Sequence, residues 1–214
     1  TPQAADEAAK KLDPIVEFLR EKGWTDVAYF YGFDETESWD RLRQWSDWAH
    51  DRYPDIKFST TSRDATYGVQ TGTPNVDAWV PLTPHYDRQR ADARREEGYE
   101  VWWYICIGPH HPYANWFIEY PLIEARLLWW MTYQYDADGF LYYAINRWPV
   151  NEKPLEGAPR TDWDPASFKS ANGDGCLFYG GPDGPLTGMR FETVRDGLEE
   201  YEYFWLLEQK LGDR

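Results

Sequence analysis

Basic side chains are scarce in this sequence: 22 Lys and Arg stand against 37 Asp and Glu, a formal net charge of −15. A surface that acidic repels phosphate backbones and anionic lipid, so neither nucleic-acid nor membrane partners are expected. Cysteine is nearly missing as well. Cys106 and Cys176 are the only two, each inside an aromatic or apolar stretch, and they read as packed thiols rather than a disulfide framework. With four His and neither CxxC nor HExxH spacing, no metal site is expected, and no organic cofactor is called for. No apolar run approaches the ~20 residues that cross a bilayer. Thr1 to Lys10 lacks the basic-then-apolar layout of an export signal. The chain is expected to be soluble; it begins without Met, so its compartment stays open, as does association with further copies of itself. No GxGxxG or GxxxxGK[ST] turn follows any predicted strand, which removes the main argument for a nucleotide-binding, doubly wound sheet.

What the sequence has in abundance is aromatic rings: 13 Trp, 16 Tyr and 10 Phe, or 18% of 214 residues. Flat apolar faces stack against the C–H faces of sugars, and Trp and Tyr add a hydrogen-bonding edge, so a carbohydrate partner fits this composition. Core filling accounts for most of the rings, and only a minority can line a site. The hydrophobic content of 42% supports one sizeable core and, by default, one domain.

Periodicity divides the chain into alternating helices and strands. Asp6 to Lys22 carries an apolar stripe of Leu12, Ile15, Val16, Phe18 and Leu19, and Gly23 closes it. A strand follows over Val27 to Tyr31, then a helix that starts at Thr36 and runs to Tyr53 before Pro54. Further strands are expected at Ile56–Thr60, Val76–Leu82, Val101–Ile107 and Gly139–Ile145, with helices at Tyr86–Glu97, Pro121–Tyr135 and Gly188–Leu211. The strand at Val101 lacks polar alternation, as in a parallel sheet buried on both faces. Alternation of this kind predicts the α/β class with a parallel sheet. Five strands are too few for a closed (β/α)8 TIM barrel, so a barrel of that type would be incomplete here, with about five βα units. Arg147 to Gly175 is rich in Pro, Gly, Asn and Asp and reads as one long loop after the last strand.

Asp34 and Glu35 directly follow the first strand, where a barrel presents catalytic groups. Two carboxylates held close cannot both ionise freely, which would leave one as a proton donor and the other as an anion, the division of labour that glycoside cleavage requires. In the alternative, Asp34 caps the next helix and Glu35 occupies its first turn. Other strand ends offer His85 and Tyr86, then His110 and His111, then Asn146, Arg147 and Trp148. A functional reading has Trp103, Tyr104 and Trp148 walling a sugar pocket, with His85, His110 and Asn146 on sugar hydroxyls and Tyr31 among the substrate contacts. The bland one has the two His satisfying loop carbonyls. Trp102 and Trp103 lie on opposite faces of one strand, so at most one can look inward. The acidic run Glu199, Glu200 and Glu202 reads as a solvated helix face.

The run Tyr29-Phe30-Tyr31-Gly32-Phe33-Asp34-Glu35 resembles the Asp-Glu strand end of glycoside hydrolase family 123, the β-N-acetylgalactosaminidases. Similar in order and spacing are Trp102 to Pro109, Tyr120 to Arg126, Asp138 to Tyr143, Gly173-Asp174-Gly175, Arg190-Phe191-Glu192 and Arg195 to Tyr203, so the resemblance spans about residues 25 to 210. Thr36 stands where many relatives carry Pro. The resemblance implies a catalytic barrel domain, or its C-terminal part, over residues 1–214. It also implies substrate-assisted retaining hydrolysis, in which the sugar's own 2-acetamido oxygen attacks the anomeric carbon. Glu35 would be the general acid and then base, and Asp34 would orient the acetamido N–H of a terminal N-acetylhexosamine. Two other readings remain: a carbohydrate-binding relative without catalysis, and a glycosidase with a protein nucleophile such as Asp87 or Asp136.

Overall fold

The computed structural model describes residues 2–147, 171–181 and 183–212. The chain separates into two compact units, Thr1–Pro81 with His85–Trp102, and Leu82–Pro84 with Trp103–Arg214.

The first unit opens with helix α1 (Pro2–Lys22) and a 3-10 turn at Thr25–Val27, then β1 (Tyr29–Tyr31), α2 (Trp39–Arg52), β2 (Lys57–Thr60), β3 (Ala78–Trp79), α3 (Arg88–Glu96) and β4 (Glu100–Val101). Its four strands pair in the order β1-β2-β3-β4, all parallel, with Tyr29 opposite Lys57 and Ser59 opposite Ala78. Leu42 and Ala49 of α2 pack with Phe58, Tyr67, Val76, Trp79, Ala91 and Val101, the apolar core that holds helices against the sheet. Helix α1 starts four residues earlier than its stripe predicts and carries Pro14 in its interior. The stripe is also narrower than expected. Val16 is fully buried with Tyr53 and Ile56, but Ile15 and Phe18 remain about half exposed.

The second unit contains β5 (Trp103–Ile105), α4 (Ile123–Tyr135), β6 (Phe140–Tyr142), β7 (Phe178–Gly180), β8 (Pro185–Thr187) and α5 (Met189–Leu211). Strands β5 and β6 pair in parallel, with Trp103 opposite Phe140. Strands β7 and β8 form an antiparallel hairpin that periodicity does not reveal. Ile105, Trp116, Ala125, Leu128, Leu177 and Val194 make the core of this unit. The acidic face expected on α5 is only partly solvated: Glu200 accepts from both Arg126 and the Trp130 indole (2.6 Å), tying α5 to α4.

The α/β class and the parallel pairing agree with the sequence. The four-stranded sheet is open, with β1 and β4 at its edges, and no barrel is closed among the described residues. The single strand expected at 101–107 is broken at Trp102 into β4 and β5. Most of the long loop expected over 147–175 lies outside the described residues, and Trp148 with it. Among the described residues no helix is long and apolar enough to cross a membrane, and Cys106 and Cys176 are free thiols.

Candidate active site

The end of β1 is built to turn sharply. Gly32 continues the ladder by donating its N–H to the Ser59 carbonyl (3.1 Å), and a Cβ at this position would lie 2.7 Å from Phe58 Cζ, so only glycine lets that core ring close over the chain. Phe33 and Glu35 then adopt left-handed backbone, φ 61° and 46°, on either side of Asp34. For residues with a Cβ each such position costs about 1–2 kcal/mol, and side chains from the end of β2 hold the turn in place. The Phe33 carbonyl accepts from Thr60 Oγ1 (3.0 Å) and Ser62 Oγ (3.3 Å). Thr61 Oγ1 accepts from the Glu35 N–H (3.0 Å) and donates to Asp34 Oδ1 (2.8 Å). Ser59, Thr60, Thr61 and Ser62 are all buried; four hydroxyl residues in a row at a buried strand end are the sequence signal that the reading of strand ends passed over.

Asp34 and Glu35 therefore stand in a turn, three residues ahead of α2, whose N-cap is Ser38. The alternative in which they form the cap and first turn of that helix is overturned, as is the start of that helix at Thr36. Tyr31 completes the arrangement. Its hydroxyl donates to Asp34 Oδ1 (2.8 Å) and lies 2.9 Å from Thr61 Oγ1, so two hydroxyl protons are shared among three oxygens. Burial of the phenol, reinforced by the Asp34 carboxylate, pushes the Tyr31 pKa far above its ordinary value, which keeps the hydroxyl a donor. Both contacts fall on Oδ1 of Asp34, which is itself exposed. Glu35 points to a different partner: its Oε2 meets Arg63 Nη2 at 2.7 Å. The two carboxylates are thus sorted, one to Tyr31 and Thr61 and the other to Arg63.

Arg63 also lines a cleft of about 510 Å³ together with Trp39, Asp40, Arg43, Asp64, Ala65, Thr66, Gln70 and Thr71; Asp34 and Glu35 are not among its lining residues. The wall from 64 to 72 is organised by the buried Asp64, whose carboxylate accepts from Thr66 N and Oγ1 (both 2.7 Å), Gly68 N (2.9 Å) and Thr71 Oγ1 (2.6 Å). Burial alone would raise its pKa, but these hydrogen bonds outweigh burial and hold the carboxyl below its ordinary range. A depressed carboxylate contributes stability that is present above the unfolded pKa, near ~3.9, and lost as pH falls through the folded value. Asp64→Ala is accordingly expected to cost about 3 kcal/mol in denaturant unfolding at pH 7, because it leaves four donors without their acceptor. The difference from wild type should shrink below about pH 4. An unfolding midpoint unmoved at pH 7 would contradict this role.

Of the other predicted site residues, His85 lies in the first unit. It is exposed, in a 3-10 turn at Thr83–His85, and its carbonyl accepts from Tyr67 Oη (3.2 Å). Trp103, Tyr104, His110 and Asn146 belong to the second unit. Trp103 is 1% exposed and its indole N–H donates to Thr132 Oγ1 of α4 (3.0 Å), so its ring is spent on packing beneath the sheet instead of walling an open pocket. Tyr104, on the opposite face of β5, is buried and pairs with Leu82 in an isolated parallel bridge. His110 is exposed with its ring 5.1 Å from Phe117, and Asn146 is exposed and bridges Cys176. The Gly173-Asp174-Gly175 motif is structural: Asp174, 1% exposed, accepts from Tyr142 (3.1 Å) and Tyr143 (2.8 Å), and burial pushes its carboxyl up. A Cβ on Gly175, φ 72°, would meet Tyr143 Oη at 2.5 Å. Among the described residues no group of three or more His, Cys, Asp and Glu could hold a metal ion.

Comparison with known proteins assigns the chain to a family. No curated protein matches the sequence significantly. Among solved structures, the chain is similar to a family 123 glycoside hydrolase from Clostridium perfringens whose structure was analysed for glycolipid glycan hydrolysis. The TM-score is 0.70 at 20% identity, over 98% of this chain and 36% of that one. The chain thus spans about a third of the length of that structure, and at such identity the likeness is one of fold. The catalytic-domain profile of glycoside hydrolase 123 matches residues 3–207, nearly the whole sequence. On that match, the chain belongs to glycoside hydrolase family 123.

Proposed function

We propose that the protein is a retaining exo-β-N-acetylhexosaminidase, cleaving terminal β-N-acetylgalactosamine by substrate-assisted hydrolysis. The observation that carries this reading is the strained turn after β1, which fixes Asp34 by one oxygen and gives Glu35 to another partner. Backbone strain persists only where the surroundings over-determine it, and it concentrates at functional sites. Family membership supports the same reading, and a glycan substrate agrees with the glycolipid glycan hydrolysis of the Clostridium perfringens relative.

In this mechanism Glu35 protonates the glycosidic oxygen as the acetamido oxygen attacks the anomeric carbon. The leaving group departs with that proton, and a bicyclic oxazolinium ion remains. Asp34, with Oδ1 occupied by Tyr31 and Thr61, uses Oδ2 to accept from the acetamido N–H and balances the positive charge as it develops. Glu35, now a carboxylate, takes a proton from water, which opens the oxazolinium ring and restores the starting enzyme. No protein nucleophile and no cofactor take part. Tyr104, His110, Asn146, His85 and Trp148 remain proposed sugar contacts. Residues 1–214 would be a catalytic domain of the (β/α)-barrel type, or part of one. Of the other two readings, binding without catalysis is the less favoured, because a binder gains nothing from a strained turn carrying two acids.

The experiment is a comparison of aryl β-N-acetylgalactosaminide with aryl β-galactoside. Turnover of the first at least about a hundredfold above the second is expected, since effective molarities of oriented internal nucleophiles are large. Comparable turnover of the two would defeat the proposal.

A further inference from the structure

Asp34 and Glu35 have partners of different charge. Two neutral hydroxyls, those of Tyr31 and Thr61, donate to Asp34, whereas Glu35 Oε2 accepts from the Arg63 guanidinium at 2.7 Å. We infer that Arg63 is a positioning residue for the reaction, acting through Glu35 and favouring the step in which Glu35 gives up its proton. This role rests on the assignment of Glu35 as the general acid. Local backbone brings the guanidinium to that place. Arg63 stands between the buried run Ser59, Thr60, Thr61 and Ser62 and the buried Asp64, and the Asp64 N–H donates to the Ser62 carbonyl (2.9 Å). Its main chain is therefore anchored on both sides while its side chain, 63% exposed, reaches Glu35 across 28 residues of sequence. Thr61, two residues earlier, accepts from the Glu35 N–H (3.0 Å). The end of β2 thus holds Glu35 twice, by its main chain and by its carboxylate.

A guanidinium carries donors and no acceptor. A proton on Oε2 of Glu35 would face those donors, so the acidic proton is carried on Oε1 and Oε2 stays an acceptor. When the Oε1–H bond breaks and the proton passes to the glycosidic oxygen, the electron pair remains on Glu35 and a neutral carboxyl becomes a carboxylate. The contact with Arg63 then joins two full charges and strengthens. An interaction that is stronger after the transfer than before it lowers the barrier to that transfer. The same cation on Asp34 would work against the reaction, because Asp34 has to offer its negative charge to the oxazolinium. Neutral hydroxyls fix Asp34 without cancelling that charge. The sorting of partners therefore matches the sorting of tasks: a cation beside the acid whose charge appears during the step, and uncharged donors beside the one whose charge is used throughout.

The test compares two substrates on the intact chain: methyl β-N-acetylgalactosaminide, whose leaving oxygen needs the proton, and dinitrophenyl β-N-acetylgalactosaminide, whose phenolate departs without one. Arg63→Met should lower the ratio of kcat/KM for the methyl glycoside to that for the dinitrophenyl glycoside by about fivefold, the upper end for a charge pair this exposed. Arg63→Lys keeps the cation and should bring the ratio back to within about twofold of wild type, the geometry being a single contact and not a bidentate one. Arg63→Gln, polar but uncharged, should lower the ratio in the same direction and serves if Arg63→Met does not fold. A side chain that only supports the fold would slow both substrates alike. An unchanged ratio in the folded neutral variants, with wild type cleaving both glycosides, overturns the role of Arg63 and leaves the proposed function intact. A wild type that cleaves neither glycoside overturns both.

Discussion

Glu35→Gln is expected to reduce hydrolysis of aryl β-N-acetylgalactosaminide by about 10²–10⁴-fold, the usual worth of a positioned proton donor. The amide keeps the size of the carboxyl and can still accept from Arg63, but it can neither give a proton to the departing oxygen nor take one from water. Both steps of the cycle lose their proton carrier. A sugar leaving group, more basic than a nitrophenolate, needs the proton more, so the loss should be greater on a disaccharide than on an activated aryl glycoside. Stability should barely change. The Arg63 and Glu35 side chains are 63% and 33% exposed, and pairs of that kind contribute ~0–1 kcal/mol. A melting temperature within about 2 °C of wild type alongside the lost turnover would separate catalysis from folding; full activity in this variant would remove Glu35 from the mechanism.

Asp34→Asn should lower kcat by about 10²–10³-fold, the scale seen when one group that stabilises transition-state charge is taken away. Tyr31 and Thr61 both donate to Oδ1, and that pair of bonds selects the rotamer in which the asparagine oxygen replaces Oδ1. The new NH₂ then falls where Oδ2 was. A donor would face the acetamido N–H, itself a donor, and the negative charge opposite the oxazolinium would be gone. Tyr31, whose phenol stays protonated because burial and Asp34 raise its pKa, fixes this geometry across the working pH range. Loss of turnover with KM little changed is the expected pattern, because the interaction develops with charge in the transition state. If kcat stayed within about threefold of wild type, less than 1 kcal/mol of barrier, Asp34 would be a structural residue only.

How these residues could be found from sequence, and where that failed, has physical reasons. The place of Asp34 and Glu35, just past β1, was legible because a short β-rich run ended in glycine and two acids. The supports were not. Ser59, Thr60, Thr61 and Ser62 lack apolar periodicity, so pattern reading assigns them no special place, although the hydroxyls of Thr60, Thr61 and Ser62 hold the Asp34 turn and that of Ser59 donates to the Phe30 carbonyl of β1. Arg63 and the Asp64 loop were missed for the same reason: their partners are 20 to 30 residues away or lie in irregular backbone. Trp103 shows the opposite error, an aromatic at a favoured strand position whose indole is committed to Thr132. Alternation alone cannot say which face of a strand meets a helix and which meets a cleft. The β7–β8 hairpin escaped because three-residue strands are too short for period-two patterning to register. Glu200 looked like part of a solvated acidic face, and only its distance in space from Arg126 and Trp130 shows otherwise.

The most direct test of the account is inhibition by a bicyclic thiazoline that copies the oxazolinium intermediate, measured as Ki on wild type and on Asp34→Asn. If the acetamido group is the nucleophile and Asp34 receives its N–H, the thiazoline should bind wild type at least about a hundredfold tighter than the parent sugar, as intermediate mimics do, and should lose most of that advantage in Asp34→Asn. A thiazoline that binds no better than N-acetylgalactosamine, with wild type still turning over the aryl glycoside, would contradict substrate assistance and point to a carboxylate nucleophile instead.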